Sequence, residues 1–290
     1  MEDDYYKKSV GDYFTVKNYS NSIIRNYKIK LIVDSTIDFV RESDKEKVTI
    51  VKVNTFLNNS AFNGTIDELY ELLKDKKNDF TTKEAGQQRF EEAIEQNKGS
   101  KIIIISASSK LTEDYNYAVL AANNNPDILV FDSRQISGAY GLLLSKVIDD
   151  IESKISYDSL ISRLQMHSDR INSYFVVNDI DYLVKGGRIS KTMGMLGKIA
   201  GIKPVLKLYE GKIISAEKNL SQGALTSGLC KYLKEKIGNN KVCIFENNIF
   251  NRKKESIDII KNSKHCGKLN PIIAIHIGTE YLAFFWYNEQ

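Results

Sequence analysis

Four consecutive isoleucines, Ile102 to Ile105, constrain this chain more than any other feature. A continuous apolar strand of this kind is buried on both faces, which happens inside a parallel sheet with helices above and below. The surrounding segments alternate to match. Residues 28–33 form another apolar strand, ending at Asp34-Ser35-Thr36, where good N-cap residues predict a following helix. Residues 48–56 are a β-branched run, and Thr65 opens a capping-box-like helix with helical apolar spacing through Leu73. A helix is expected over about 85–96 after Thr81-Thr82, then one over 112–122, a strand over 128–131 and a helix over 138–151. Strand and helix in alternation predict an α/β first half on a mainly parallel sheet.

The second half is also α/β, with more antiparallel content. A helix over 157–166 precedes a strand over 173–177, and a short helix over 179–184 leads into Lys185-Gly186-Gly187-Arg188-Ile189-Ser190. A small-residue, methionine-bearing segment spans 193–201. Residues 204–208 and 212–215 read as a hairpin turned at Glu210-Gly211. A helix over 223–237, a strand over 241–245, a helix around 257–261, a strand over 272–275 ending at His276, and a closing strand over 282–287 complete the pattern. The expected organisation is a polar extension over 1–27, a first domain over 28–156 and a second over 157–290, with a mixed sheet in the second. Trp286, Phe284 and Phe285 read as core, His167 and His265 as surface residues.

Composition narrows the function. Hydrophobic residues at 42% and charged residues at 27% are those of a soluble globular protein. The 41 Lys and Arg exceed the 37 Asp and Glu by only four and are interleaved with them, which argues against nucleic acid as partner. No apolar run approaches the roughly 20 residues of a membrane helix, and the start lacks a signal-peptide pattern, so a cytoplasmic address is expected. Cys230, Cys243 and Cys266 lack CxxC spacing, which leaves buried or idle thiols ahead of a metal site or disulfide. No cofactor is implied, because no GxxxxGK[ST] loop is present.

Hydroxyls gather at the strand ends: Asp34-Ser35-Thr36, Ser106-Ala107-Ser108-Ser109 and Asp132-Ser133-Arg134, with Thr81-Thr82 before another helix. Taken singly these are caps and turns. Together they suggest a hydroxyl-lined pocket outside the carboxyl ends of a parallel sheet, where ligands of such folds bind. Free N–H groups and the positive dipole end of a helix N-terminus suit an anion there.

One long pattern is specific. Residues 174–190, Tyr-Phe-Val-Val-Asn-Asp-Ile-Asp-Tyr-Leu-Val-Lys-Gly-Gly-Arg-Ile-Ser, precede Gly-Ile-Lys-Pro-Val-Leu-Lys-Leu at 201–208 and Glu-Gly-Lys-Ile at 210–213. With Val33-Asp34-Ser35-Thr36, Phe131-Asp132-Ser133-Arg134 and His276-Ile277-Gly278, the chain resembles the DegV family of bacterial fatty-acid-binding proteins over about 29–287. The resemblance implies two α/β domains with one long-chain fatty acid in an apolar tunnel between them. It implies a carboxylate held by Thr82 and Thr112 of the first domain, expected at two helix N-termini. Arg188, His276, Ser35 and Ser108 are further candidates for head-group or partner contacts. A separate ATP-dependent fatty acid kinase is the implied partner, with this chain non-catalytic.

The chain departs from the family where Lys83-Glu84 replace Ser-Gln and where Thr112-Glu113-Asp114-Tyr115 replaces Ser-Gly-Thr-Tyr. Glu113 and Asp114 are expected to face solvent at a helix start, where acidic residues are favourable. Two rival readings stand beside this one. An ester or thioester hydrolase would pair His276 with Ser108 or Ser109, although no G-x-S-x-G elbow is present. A dihydroxyacetone-kinase-like subunit would hold its substrate on a histidine, and no histidine is marked for that role.

Overall fold

The computed structural model describes residues 28–196, 202–221, 225–247 and 262–289. The extension expected over 1–27, residues 197–201 of the methionine-bearing segment, the start of the helix expected at 223 and the helix expected around 257–261 lie outside the described residues.

The first half runs β1 (Ile29–Asp34), β2 (Val48–Val51), β3 (Asn54–Leu57), β4 (Ser60–Ala61), α1 (Ile66–Leu72), β5 (Phe80–Lys83), α2 (Gln87–Gln96), β6 (Lys101–Ser106), α3 (Asp114–Ala122), β7 (Ile128–Asp132) and α4 (Ser137–Glu152). Strands pair in the order β2-β1-β6-β7, all parallel. The isoleucine run is the reason. Ile103 and Ile105 pack with Tyr140, Leu143 and Leu144 of α4, while Ile102 and Ile104 pack with Phe90 of α2 and Ala118 of α3. Two helical layers thus bury both faces of β6, as a run without alternation requires.

The second half adds α5 (Tyr157–Asp169), β8 (Ile171–Val177), α6 (Asp181–Lys185), α7 (Lys191–Leu196), β9 (Ile202–Tyr209), β10 (Lys212–Ser221), α8 (Leu225–Ile237), β11 (Val242–Asn247), β12 (Ser263–Gly267), α9 (Pro271–Ile277) and β13 (Tyr281–Tyr287). Its sheet has the order β10-β9-β8-β13-β11-β12 and is mixed: β11 and β12 are parallel, the other pairs antiparallel. All seven residues of β13 are buried. Leu282, Phe284 and Trp286 face Leu229 and Leu233 of α8. Tyr281, Ala283 and Phe285 face the first half, in one cluster with Val40, Leu69, Phe80 and Ala139. The molecule is therefore α/β, with a parallel sheet and a mixed sheet, and one apolar cluster joins the mixed sheet to the helices, β5 and loops of the first half.

Four local expectations change. No α-helix follows Thr36; the chain forms a bridge from Ile37 to Ser137 and a 3₁₀ turn at Glu42–Lys47. The hydroxyls that were to cap a helix are used otherwise, Ser35 Oγ accepting from Val53 N at 2.8 Å and Thr36 Oγ1 donating to Asp34. That same bond holds Val53 between the two pieces of the 48–56 run, so β2 stays in the parallel sheet and β3 joins the antiparallel sheet β4-β3-β5. The segment expected as a strand over 272–275 is helix α9. Asn270 caps it by accepting from Ile272 N at 3.0 Å and Ile273 N at 3.2 Å, with Pro271 in the first turn. A fully buried apolar run reads alike as strand or helix, so only the cap distinguishes them. Lastly, the polar edge strand β12 has no apolar signature and was not foreseen. Among the described residues no helix is long and apolar enough to cross a membrane.

Candidate functional site

A cavity lies between the two halves, with about 820 Å³ of atom-free space, open solvent at its mouth included. Leu111 and Ile136 from the first half, and Phe175, Leu208, Ile213 and Phe285 from the second, form apolar wall. On α9 the residues Ile272, Ile273, His276 and Ile277 line it, a helical i, i+1, i+4, i+5 stripe turned to one side. Thr36, Thr112 and Ser137 follow the carboxyl ends of β1, β6 and β7. The chain leaves β1 for β2 on one side and returns to β6 on the other, so these ends open a crevice at the point where strand order reverses.

The polar lining is a connected set. Thr82 lies inside β5 opposite Thr55, not at the helix N-terminus expected of it, because α2 begins beyond Gly86. Its Oγ1 is 2.9 Å from Nε2 of His276. Burial, and then the neighbouring Arg188, push the His276 imidazole down to about 4, so it is neutral at physiological pH. A Cβ on Gly186 would stand 2.5 Å from His276 Nδ1, so the first glycine of the Gly186-Gly187 pair admits the ring. Arg188 is mostly buried, donates to the carbonyl of Gly186 and lines the cavity with Glu84. Burial lowers its pKa while the Glu84 carboxylate opposes that change.

Thr112 reaches the cavity just before α3, as expected. Its hydroxyl donates to Asp114 Oδ2 at 3.0 Å and accepts from Asp114 N at 3.3 Å. Here the two new carboxylates separate: Glu113 is exposed, but Asp114 is fully buried, contrary to the expectation that both face solvent. Asp114 Oδ1 accepts from Ala85 N at 3.0 Å. Burial, reinforced by the charges of Asp34 and Glu84, pushes its carboxyl up to about 7.

Thr82, Thr112, Arg188 and His276 therefore meet at one cavity, whereas Ser35 and Ser108 do not line it. Ser35 holds Val53, and Ser108 donates to the carbonyl of Gly211 at 2.8 Å, fastening the first half to the β9–β10 turn. Ser109 donates to Asp132 Oδ2 at 2.6 Å. Neither serine meets His276, so the hydrolase dyad is not assembled. His167 is buried, not a surface residue: its nitrogens sit 2.8 Å from Asp150 and 2.9 Å from the Tyr287 hydroxyl. Sequence reasoning missed Ser137, Ser173 and Glu84 as lining residues; only Glu84 carried a signal, as a departure from the family pattern. Among the described residues no cluster of three or more His, Cys, Asp or Glu is arranged to hold a metal ion.

Comparison with known proteins gives a consistent answer. A DegV domain-containing protein of Staphylococcus aureus is 26% identical over 219 residues, 73% of this chain and 78% of that one. A fatty acid binding DegV family protein of Streptococcus agalactiae superposes with a TM-score of 0.80 at 20% identity, covering 91% of this chain and 100% of its own. A DegV family protein of Eubacterium eligens loaded with heptadecanoic acid has a TM-score of 0.76 at 16% identity, covering 90% and 100%. The DegV family model itself matches residues 28–289, and the chain belongs to the DegV family.

Proposed function

We propose that this chain binds one long-chain fatty acid, its acyl chain in the cavity between the halves and its carboxylate at the hydroxyls of Thr82 and Thr112. The observation that carries this is an apolar cavity into which the hydroxyls of Thr82 and Thr112, a neutral histidine and an arginine paired in charge with Glu84 project, with Thr36, Ser137 and Ser173 as further hydroxyls of the wall. Each methylene transferred from water to such a wall contributes about 0.8 kcal/mol, which supplies affinity. The carboxylate then needs donors, because an unpaired buried anion is costly. Threonine hydroxyls and Arg188 are donors, with Arg188 also balancing the charge. The fatty acids named for the solved relatives agree with this reading.

The acid is then presented to a separate ATP-dependent kinase that phosphorylates the carboxylate. Support for a second protein is the lack of a phosphate-binding loop in this sequence. Two measurements test the reading. Organic extraction of purified protein followed by mass spectrometry is expected to recover close to one acyl chain per molecule. Recovery of none, with no binding of added palmitate, would falsify the binding proposal. Loaded protein and ATP alone are expected to yield no hydroxylamine-trappable acyl phosphate; its formation without a second protein would remove the kinase from the scheme.

A further inference from the structure

We infer that Asp114 is a proton-holding positioning residue for the head group: the fatty acid binds the form in which the Asp114 carboxyl is protonated, so that one proton is taken up with each anion. This rests on the head-group assignment of Thr112 made above and adds to it a residue whose carboxyl replaces a neutral side chain of the family pattern.

The Thr112 hydroxyl has one hydrogen and two lone pairs. In the structure its hydrogen points to Asp114 Oδ2, 3.0 Å away, and one lone pair accepts from Asp114 N at 3.3 Å. With Asp114 ionised, that hydrogen is committed and Thr112 offers an incoming carboxylate only lone pairs, which repel it. With Asp114 protonated, its O–H donates to the remaining lone pair of Thr112, and the threonine hydrogen turns into the cavity. No atom moves except two hydrogens, and Asp114 Oδ1 keeps its bond from Ala85 N in both states.

Burial raises the pKa of both Asp34 and Asp114, and the hydrogen bonds around them favour Asp114 as the holder of the proton. Asp34 is buried on β1 and its charge acts on Asp114, and two buried carboxylates near one another disfavour double ionisation. Asp34 accepts from Thr36 N at 3.0 Å, Ala107 N at 2.8 Å and the Thr36 hydroxyl, three donors that favour its anion. Asp114 has one backbone donor from another segment, Ala85 N. Glu84, following β5, adds a second negative charge, and Tyr140 of α4 faces the pair with its hydroxyl donated to the carbonyl of Ile105. Arg188 and His276 face Glu84 and Thr82, and His276 stays neutral through the relevant pH range. A bound anion is one more negative charge beside Asp114 and raises its proton affinity further. Binding and protonation therefore favour each other, as linkage requires.

The experiment measures palmitate affinity by displacement of a fluorescent fatty acid from pH 6 to 8.5, for the full chain and for Asp114→Asn and Thr112→Val. It adds calorimetry of palmitate binding at pH 8 in two buffers of different ionisation enthalpy. With the Asp114 carboxyl near 7 before binding, wild-type affinity is expected to fall about thirtyfold between the two pH limits, with close to one proton taken up at pH 8. Asparagine at 114 donates to Thr112 at every pH, so Asp114→Asn is expected to bind at every pH as tightly as wild type does at pH 6. Wild-type binding that is strong but flat with pH, with no proton uptake, overturns this inference and leaves the head-group reading standing. Thr112→Val binding as well as wild type at pH 6, or no palmitate binding at any pH, overturns both. Should Asp114→Asn fail to fold, the wild-type pH profile and proton count decide alone.

Discussion

Thr82 and His276 stand 194 residues apart and are joined by a 2.9 Å hydrogen bond at the rim of an apolar cavity. Replacing Thr82 or Thr112 by valine keeps volume and removes the hydroxyl proposed to donate to the carboxylate. Each change is expected to weaken palmitate binding roughly ten- to a hundredfold, since a lost bond to a charged group costs about 1.5–3 kcal/mol. A fatty alcohol of equal length, with no charge to satisfy, should lose much less; equal losses for both ligands would show that the head group lies elsewhere. His276 supplies a pH test with a definite sign. Its folded value near 4 lies below the ordinary 6.5, so the native state binds fewer protons than the unfolded chain between those limits. The stability it contributes is complete above pH 6.5 and is lost as pH falls towards 4, on the order of 2 kcal/mol by pH 5. Asp38, raised to about 7 chiefly by burial, acts oppositely: its contribution shrinks as pH rises from 4 to 7. Comparing wild type with His276→Gln isolates the histidine, and the variant is expected to lose less stability between pH 7 and 5 in urea titrations. Parallel losses would mean that folding does not lower the pKa of this imidazole.

At the scale of elements, the β9–β10 hairpin is the piece most exposed to a single substitution. Glu210 and Gly211 have φ of 48° and 79°, the left-handed pair of a two-residue turn whose twist matches its strands. A Cβ on Gly211 would stand 2.5 Å from Ser108 Oγ, the hydroxyl that bonds this turn's carbonyl. Gly211→Ala therefore strains the backbone and breaks the contact between the halves together, with an expected loss of about 1–3 kcal/mol read from the urea midpoint. A loss no larger than that of Gly238→Ala, where φ is 55° and nothing stands within 4 Å of the added carbon, would show that the clasp contributes nothing. The capping box on α1 was legible in advance because it is local: Thr65 Oγ1 accepts from Glu68 N at 3.2 Å, and the Glu68 carboxylate accepts from Thr65 N at 2.6 Å. Helix α9 was not legible as a helix, since Ile272 to Ile275 satisfies either periodicity and burial on all sides removes the polar face that would decide.

Across the whole molecule, the cavity has walls from both halves, and one apolar cluster joins them. A ligand that contacts both halves binds the folded chain and not the unfolded one. Free palmitate at about a hundred times its dissociation constant is expected to stabilise the protein by about 2.7 kcal/mol, a rise in Tm of roughly 5–10 °C. The same palmitate concentration applied to the double variant Thr82→Val, Thr112→Val should give a smaller shift. An unchanged Tm for wild type would mean that the folded chain does not bind the acid in preference to the unfolded one.

The α/β class, the parallel order around Ile102 to Ile105, the capped helix at Thr65 and the turn at Glu210-Gly211 were determined by the sequence itself. Each rests on patterns within about ten residues, where pleat, helical period and turn geometry act directly on neighbouring side chains. The long motif over 174–190 made the family legible and, through it, Thr82, Thr112, Arg188 and His276 as residues of one site. What only the tertiary structure decided is which groups face which. Ser35 and Ser108 looked like Thr36 as strand-end hydroxyls, yet the two serines bond other segments while Thr36 lines the cavity. Glu113 and Asp114 are adjacent acids at one helix start, and the turn into α3 puts the first in water and the second beneath the site. His167 was hidden for the same reason, its partners Asp150 and Tyr287 lying on two other elements. Hydrogen bonds and burial depend on the position of the whole chain in space, and that information is not held in any short stretch of it.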